Sequence, residues 1–341
     1  MISFKNDYSE VAHKDILDLL NKVSLEQNNG YGLDKHSEKA KKLIQAELKN
    51  DTCDIHFLVG GTSCNKIAIS HILRPHQAVI SVASGHINVH ETGAIEATGH
   101  KILTVKGIDG KITKDEIIDV VRTHTDEHMV MPKLVYISNS TEIGTIYSKK
   151  ELEELYTICK ELNLYLYLDG ARLGVALTCE ENDLTLEDIT NLTDMFYIGG
   201  TKNGAMLGEA FVIVNQNLKE SFRHSIKLNG GMLAKGFVIG VQFEALFSNK
   251  LFFDLAKNAN ETASLLKKGL KYLGVKLAFD SPTNQQFLIL DKKVEQELAK
   301  KYEFEIWERK KDKTIIRLVT SWATKKETVN IFLADLKSIV S

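Results

Sequence analysis

Lys202 lies among small residues in Gly199-Gly200-Thr201-Lys202-Asn203-Gly204, directly after the apolar run Met195 to Ile198. Glycines let another group approach the amine closely. Burial and a nearby cation lower a lysine pKa, which makes the amine a nucleophile toward a carbonyl. Asp169 ends a second apolar run, Leu164 to Leu168, and opens Asp169-Gly170-Ala171-Arg172. A carboxylate leaving an apolar strand needs a partner, because an unpaired interior charge is costly. Two readings stand level here. Asp169 either pairs with Arg172 or caps the next helix, or it faces a cationic ring nitrogen while Arg172 takes an anionic group of cofactor or substrate.

Gly60-Gly61-Thr62-Ser63 follows the run Ile55 to Val59 and precedes a helical stretch from about Cys64 to Leu73. Backbone N–H groups exposed at the positive end of a helix suit a phosphate, although an ordinary tight turn accounts for the same residues. His86 comes after the run Ala78 to Val82, with Glu91 a little further on; a histidine so placed is either catalytic or a satisfied structural residue. No P-loop occurs, and no G-x-G-x-x-G follows a strand, so nucleotide-binding readings lose their main support.

The elements that must position these residues alternate short β-rich runs with helical patterns through the middle of the chain. Lys101 to Val105, Leu134 to Ser138 and Phe211 to Val214 complete the runs. Runs apolar on both faces, separated by helices, predict a mostly parallel seven-stranded sheet sandwiched by helices. Ser148-Lys149-Lys150-Glu151 is a capping box opening a helix to about Leu162. Helices are expected near Asp15 to Val23 and Ser37 to Lys49, and one long helix from about Lys235 to Leu273 connects to the last part of the chain. There, strands at Val275 to Phe279, Gln286 to Leu290, Phe304 to Trp307 and Thr314 to Val319 predict a smaller α+β unit. The organisation is read as an N-terminal arm and helix, 1–30, packing on the C-terminal domain; a large domain, 31–250; and a small C-terminal domain, 251–341.

The 341 residues allow a sizeable core, and 43 basic against 45 acidic side chains create no field that favours nucleic acid or an anionic membrane. No apolar run reaches the roughly 20 residues a bilayer requires. The N-terminus lacks the apolar centre of an export signal. Cys53, Cys64, Cys159 and Cys179 show no C-x-x-C spacing. They fit a reducing, cytoplasmic setting, and no metal site is expected.

The set exceeds its parts. A phosphate turn, a histidine, a strand-end aspartate and a lysine after a later strand, in that order, are similar to the large fold shared by many pyridoxal-phosphate enzymes. Over essentially its whole length the chain resembles the low-specificity threonine aldolases of the β-eliminating lyase group, whose fold is that of aspartate aminotransferase. The residues carrying this are Tyr31-Gly32, G-G-T-S-C-N from Gly60, G-H-I-N-V-H-E from Gly85, L-D-G-A-R-L from Leu168, G-G-T-K-N-G from Gly199 and I-R-L-V-T-S-W from Ile316.

The resemblance implies pyridoxal 5'-phosphate held by Lys202 as a Schiff base, with Asp169 keeping its ring nitrogen protonated and His86 stacked on the ring. Gly61, Thr62, Ser63 and Thr201 would serve the phosphate. Arg172, which also contacts the cofactor, and Arg317 would clamp the substrate carboxylate, with Asn6 and Tyr31 beside it. The implied reaction is retro-aldol cleavage of L-threonine, L-allo-threonine or a related β-hydroxy amino acid to glycine and an aldehyde. His86, directly or through water and oriented by Glu91, is one base for the β-hydroxyl. Alternatives are β-elimination, transamination, a phenylserine-type aldolase, or a non-catalytic protein of the same fold. A homo-oligomer is implied, a tetramer built as a dimer of dimers or a dimer; Arg223 and Lys227 lie in the segment through which a neighbour reaches the phosphate, with solvated surface charge as the other reading. Two positions depart from the pattern. The family's pocket serine is Asn6 here, and many relatives carry a histidine in the loop that reads Asn139-Ser140-Thr141-Glu142-Ile143-Gly144.

Overall fold

Which strand ends share an edge decides where chemistry can gather, and alternation along the strands decides what each face packs against. The computed structural model describes residues 1–340; Ser341, the last residue of the expected 251–341 domain, lies outside the described residues. After the short strand β1 (Ile2–Ser3), the large sheet comprises β2 (Asp54–Leu58), β3 (Gln77–Val82), β4 (Lys101–Val105), β5 (Met131–Ser138), β6 (Tyr165–Asp169), β7 (Met195–Gly199) and β8 (Glu209–Ile213). Their spatial order is β2-β8-β7-β6-β5-β3-β4, and only β8 runs against the rest. The carboxyl ends of β2, β3, β5, β6 and β7 therefore meet at one edge, and so does the start of β8, where Glu209 pairs with Gly199. That edge is where an open α/β sheet binds ligands.

Successive side chains of a strand point to opposite faces. On β5, β6 and β7, Val135, Ile137, Leu166, Leu168, Phe196 and Ile198 enter one core. Tyr136, Tyr167 and Tyr197 enter the other, together with Ile67 and Phe211. Three tyrosines so aligned bring their hydroxyls toward the same end of the sheet.

The expected single helix from Lys235 to Leu273 is two, Phe237–Phe247 and Leu251–Tyr272. Ser248 Oγ turns back to donate to Glu244 O, and Asn249 and Lys250 take φ values of 138° and 58°, which end the first helix. The hydrophobic period runs on across the break because Phe247 stacks on Phe252, so period alone does not reveal it.

A second sheet, order β12-β13-β10-β9, is antiparallel throughout and contains β9 (Lys276–Leu277), β10 (Gln285–Asp291), β12 (Glu305–Arg309) and β13 (Lys313–Val319). β1 pairs in parallel with β11 (Tyr302–Glu303), and Phe4 is buried against Tyr302 and Phe332. Among the described residues no helix is long and apolar enough to cross a membrane.

Candidate active site

A cavity of about 350 Å³ opens at the shared edge and is lined by Gly60, Gly61, Thr62, His86, Asp169 and Lys202, among others. Lys202 arrives on the turn after β7. Gly200 makes this turn possible: a Cβ there would come within 2.6 Å of Gly208 O and 2.8 Å of the Phe243 ring. The Lys202 amine is buried. Burial first, and the Arg172 charge second, push its pKa below that of an ordinary lysine. Its ammonium lies 6.0 Å from the centre of the Tyr8 ring, which also borders the cavity.

Asp169, the last residue of β6, accepts four hydrogen bonds. Tyr197 OH donates to Oδ1 at 2.5 Å and Ala171 N at 3.0 Å; Tyr136 OH donates to Oδ2 at 2.7 Å and Asn65 Nδ2 at 3.0 Å. Burial opposes the charge, but His86 and these donors outweigh it and hold the carboxyl below its usual range. An anion so held is a fixed counter-charge.

A polar circuit spreads from it. Asn65 also donates to Glu91 Oε1 at 2.7 Å, and Glu91 Oε1 holds His86 Nδ1 at 2.8 Å. On the other side Tyr136 receives a bond from Ser138 Oγ, which donates to Glu142 Oε1 at 2.8 Å; the backbone N–H of His86 meets the same oxygen at 3.0 Å.

The Asp169–Arg172 pair, one of the two readings of the sequence, does not form. Arg172 instead makes a bidentate pair with Asp7, Nε to Oδ2 at 2.7 Å and Nη2 to Oδ1 at 3.0 Å, and Asn284 donates to Asp7 Oδ2 at 2.9 Å. The chain turns Arg172 toward the N-terminal arm, where a planar fork matches a carboxylate. Arg317 lies close enough that burial and the Arg172 charge both depress its pKa. Its Nη1 donates to Gln285 Oε1 at 3.1 Å, it covers the Trp307 ring, and its Nε is buried without a partner.

The remaining expected residues divide. Gly61 and Thr62 begin the helix Gly61–Ile72, which has no side-chain cap, so its first N–H groups face the cavity edge. Thr201 lines the cavity, but its hydroxyl donates to Glu209 Oε1 at 2.8 Å. Ser63 is turned toward Gly231 and does not line the cavity. Asn6 stays outside as well: its Oδ1 accepts from Tyr8 N and Ser9 Oγ and shapes the arm. Tyr31 is half-exposed with φ 63°, in a separate hollow with Arg223 and Lys227.

Sequence reasoning passed over Asp7, Asn65, Tyr136, Tyr197 and Glu209. The signal available for the tyrosines was their alignment two residues short of strand ends. Asp7 and Asn65 gave none, because each acts across a long stretch of chain.

The profile of the beta-eliminating lyase family matches residues 17–293. The chain belongs to that family. Among characterised members it is 30% identical over 333 residues to the low specificity L-threonine aldolase of a Pseudomonas species, covering 94% of this chain and 93% of that one. Among solved structures, threonine aldolase from Leishmania major is 49% identical, with a TM-score of 0.99 over 100% of both chains. An aspartate aminotransferase from Thermus thermophilus, 13% identical, superposes with a TM-score of 0.74 over 99% of this chain and 91% of that one, which shows the shared fold.

Proposed function

We propose that this β-eliminating lyase family member binds pyridoxal phosphate and cleaves L-threonine, L-allo-threonine or a related β-hydroxy-α-amino acid to glycine and an aldehyde. One observation carries the reading: a buried amine of depressed pKa and a buried carboxylate kept ionised border the same cavity. The threonine aldolases that align with nearly the whole chain support the substrate class.

The cavity suits the cofactor. The uncapped first turn at Gly61 and Thr62 offers backbone donors and a positive helix end to its phosphate. Nothing lies within 4 Å of where a Cβ on Gly60 would stand, so the approach is open. Asp169, whose own charge is stabilised by four donors, would hold a proton on the ring nitrogen. When bound, pyridoxal phosphate supplies an aldehyde for an amine and a ring that takes up the electron pair released at Cα.

The chain's residues do the rest. Lys202, with its pKa lowered by burial and by the Arg172 charge, gives up its proton more readily than an ordinary lysine. Arg172 presents a guanidinium already aligned by Asp7, with Nη1 left over for a substrate carboxylate. Arg317, which carries the buried unpartnered Nε, adds a second positive charge. Tyr8 borders the cavity beside the Lys202 amine.

Four buried free cysteines support a cytoplasmic setting. Exposed Leu33, Leu228 and Leu233, near the arginine and lysine that line the Tyr31 hollow, support assembly as a homo-oligomer, a dimer or a dimer of dimers.

The test is product analysis. Purified protein with the cofactor and L-threonine, L-allo-threonine or L-serine is expected to yield glycine with the matching aldehyde. Pyruvate with ammonia, or a keto acid, in place of glycine would overturn the aldolase reading. Borohydride reduction followed by mass spectrometry is expected to mark Lys202, and Lys202→Ala to abolish the mark.

A further inference from the structure

Three carboxylates and an imidazole border the cavity, and most of their oxygens are already spoken for. Asp169 accepts four donors. Glu209 accepts Thr201 Oγ1 on one oxygen and Gly200 N on the other. Glu142 differs: both of its donors, Ser138 Oγ and His86 N, meet Oε1, and Oε2 is buried with no partner among the described residues. A buried carboxylate oxygen without a donor is an expensive arrangement unless a ligand supplies one.

The loop that carries Glu142 is held from both sides. Asn139 N donates to Asp169 O at 3.0 Å, and Thr141 N to Thr145 O at 2.9 Å. From the C-terminal part of the chain, Ser281 Oγ and Thr283 Oγ1 donate to Gly144 O at 3.1 and 2.9 Å, and Gln285 Nε2 to Thr141 O at 3.3 Å. The loop is thus fixed with Oε1 held by its two donors, which leaves Oε2 as the oxygen able to accept from an incoming hydroxyl.

We propose that Glu142 Oε2 takes the proton of the substrate's β-hydroxyl, an inference that rests on the aldolase reading above. The O–H electron pair becomes the second bond of the leaving aldehyde, the Cα–Cβ bond breaks, and its electron pair stays at Cα. The proton count closes when Glu142 returns its proton to solvent and Cα takes one from solvent, without Glu142. Burial, with Asp169 adding to it, raises the Glu142 pKa, while Ser138 and His86 act against the rise. The other titratable groups facing it are Tyr136 on β5, Tyr147 after β5 and Arg172 after β6. A base of raised pKa holds the proton longer than an ordinary carboxylate and suits this transfer.

Glu142→Gln keeps an acceptor for Ser138 and His86 N and removes the base. Threonine cleavage is expected to fall about 100-fold or more. Exchange of the glycine α-proton in D₂O, followed by NMR, needs no β-hydroxyl and is expected to stay within about threefold of wild type. Glu142→Asp, which retains a carboxylate, is expected to recover part of the cleavage rate. Infrared pH titration of the holoenzyme is expected to show a carboxyl band titrating above the usual carboxylate range, absent from Glu142→Gln.

Cleavage unchanged in Glu142→Gln would overturn the assignment and leave the aldolase reading intact. So would equal loss of cleavage and exchange, or selective loss appearing in His86→Asn in place of Glu142→Gln. Wild-type protein that exchanges glycine but cleaves no β-hydroxy substrate would remove the aldolase reading, and this inference with it.

Discussion

At the scale of single residues, two carboxylates set the site's electrostatics in different ways. Asp169 is saturated with donors, so Asp169→Asn would turn an amide N–H₂ toward groups that already donate. The variant is expected to lose about 1–3 kcal/mol of stability from the mismatched donors, read from the urea midpoint. It is also expected to lose at least about 100-fold in threonine cleavage, because a neutral side chain no longer holds the ring proton. Asp7 answers to pH. Burial works against its charge, but Arg172 and Lys202 outweigh it and lower its pKa. A depressed carboxyl contributes stability that is complete above its unfolded value, about 3.9, and is lost as pH falls through the folded value below that. Asp7→Asn leaves Arg172 buried without a counter-charge and is expected to cost about 3–5 kcal/mol at neutral pH. Stability curves of the two proteins should converge only below about pH 4.

At the scale of elements, the loop after β5 is where the large sheet's edge meets the small antiparallel sheet. Gly144 has φ 81°, and a Cβ there would stand 2.2 Å from Ser281 Oγ and 3.0 Å from Thr283 Oγ1. Gly144→Ala is therefore expected to push the loop off its anchors, with a loss of about 1–3 kcal/mol by urea denaturation and a fall in threonine cleavage. What the sequence makes legible at this scale follows from locality. The runs that became β3, β6 and β7, and the capping box before Lys149–Glu161, are each specified by neighbouring residues. Lys202, Asp169 and His86 were legible because each sits just beyond such a run. The partners were not. Arg172 finds Asp7 and Asp169 finds Asn65 only once the chain has folded back over long separations. The break at Ser248–Lys250 stayed hidden for the opposite reason, a local irregularity masked by continuous apolar spacing.

At the scale of the whole molecule, the N-terminal arm joins parts of the chain that are otherwise far apart. Phe4 fills a core otherwise made by the C-terminal region, including Leu288, Leu318 and Phe332. Phe4→Ala is expected to cost about 3–5 kcal/mol, measured by urea denaturation, and to reduce threonine cleavage through the loosened Asp7 three residues on. The arm also imposes an order on biosynthesis. Ile2 leaves the ribosome early and must wait for Tyr302, and the Phe4 carbonyl must wait for Val319 N. A nascent chain that has already made Lys202, Asp169 and His86 still lacks Asn284, which holds Asp7, and Val319, which anchors Phe4. A chain that stops between Arg317 and Val319 thus holds every residue of the amine site but lacks the backbone anchor of the arm. Until that core is made, Phe4 has no apolar neighbours to cover it.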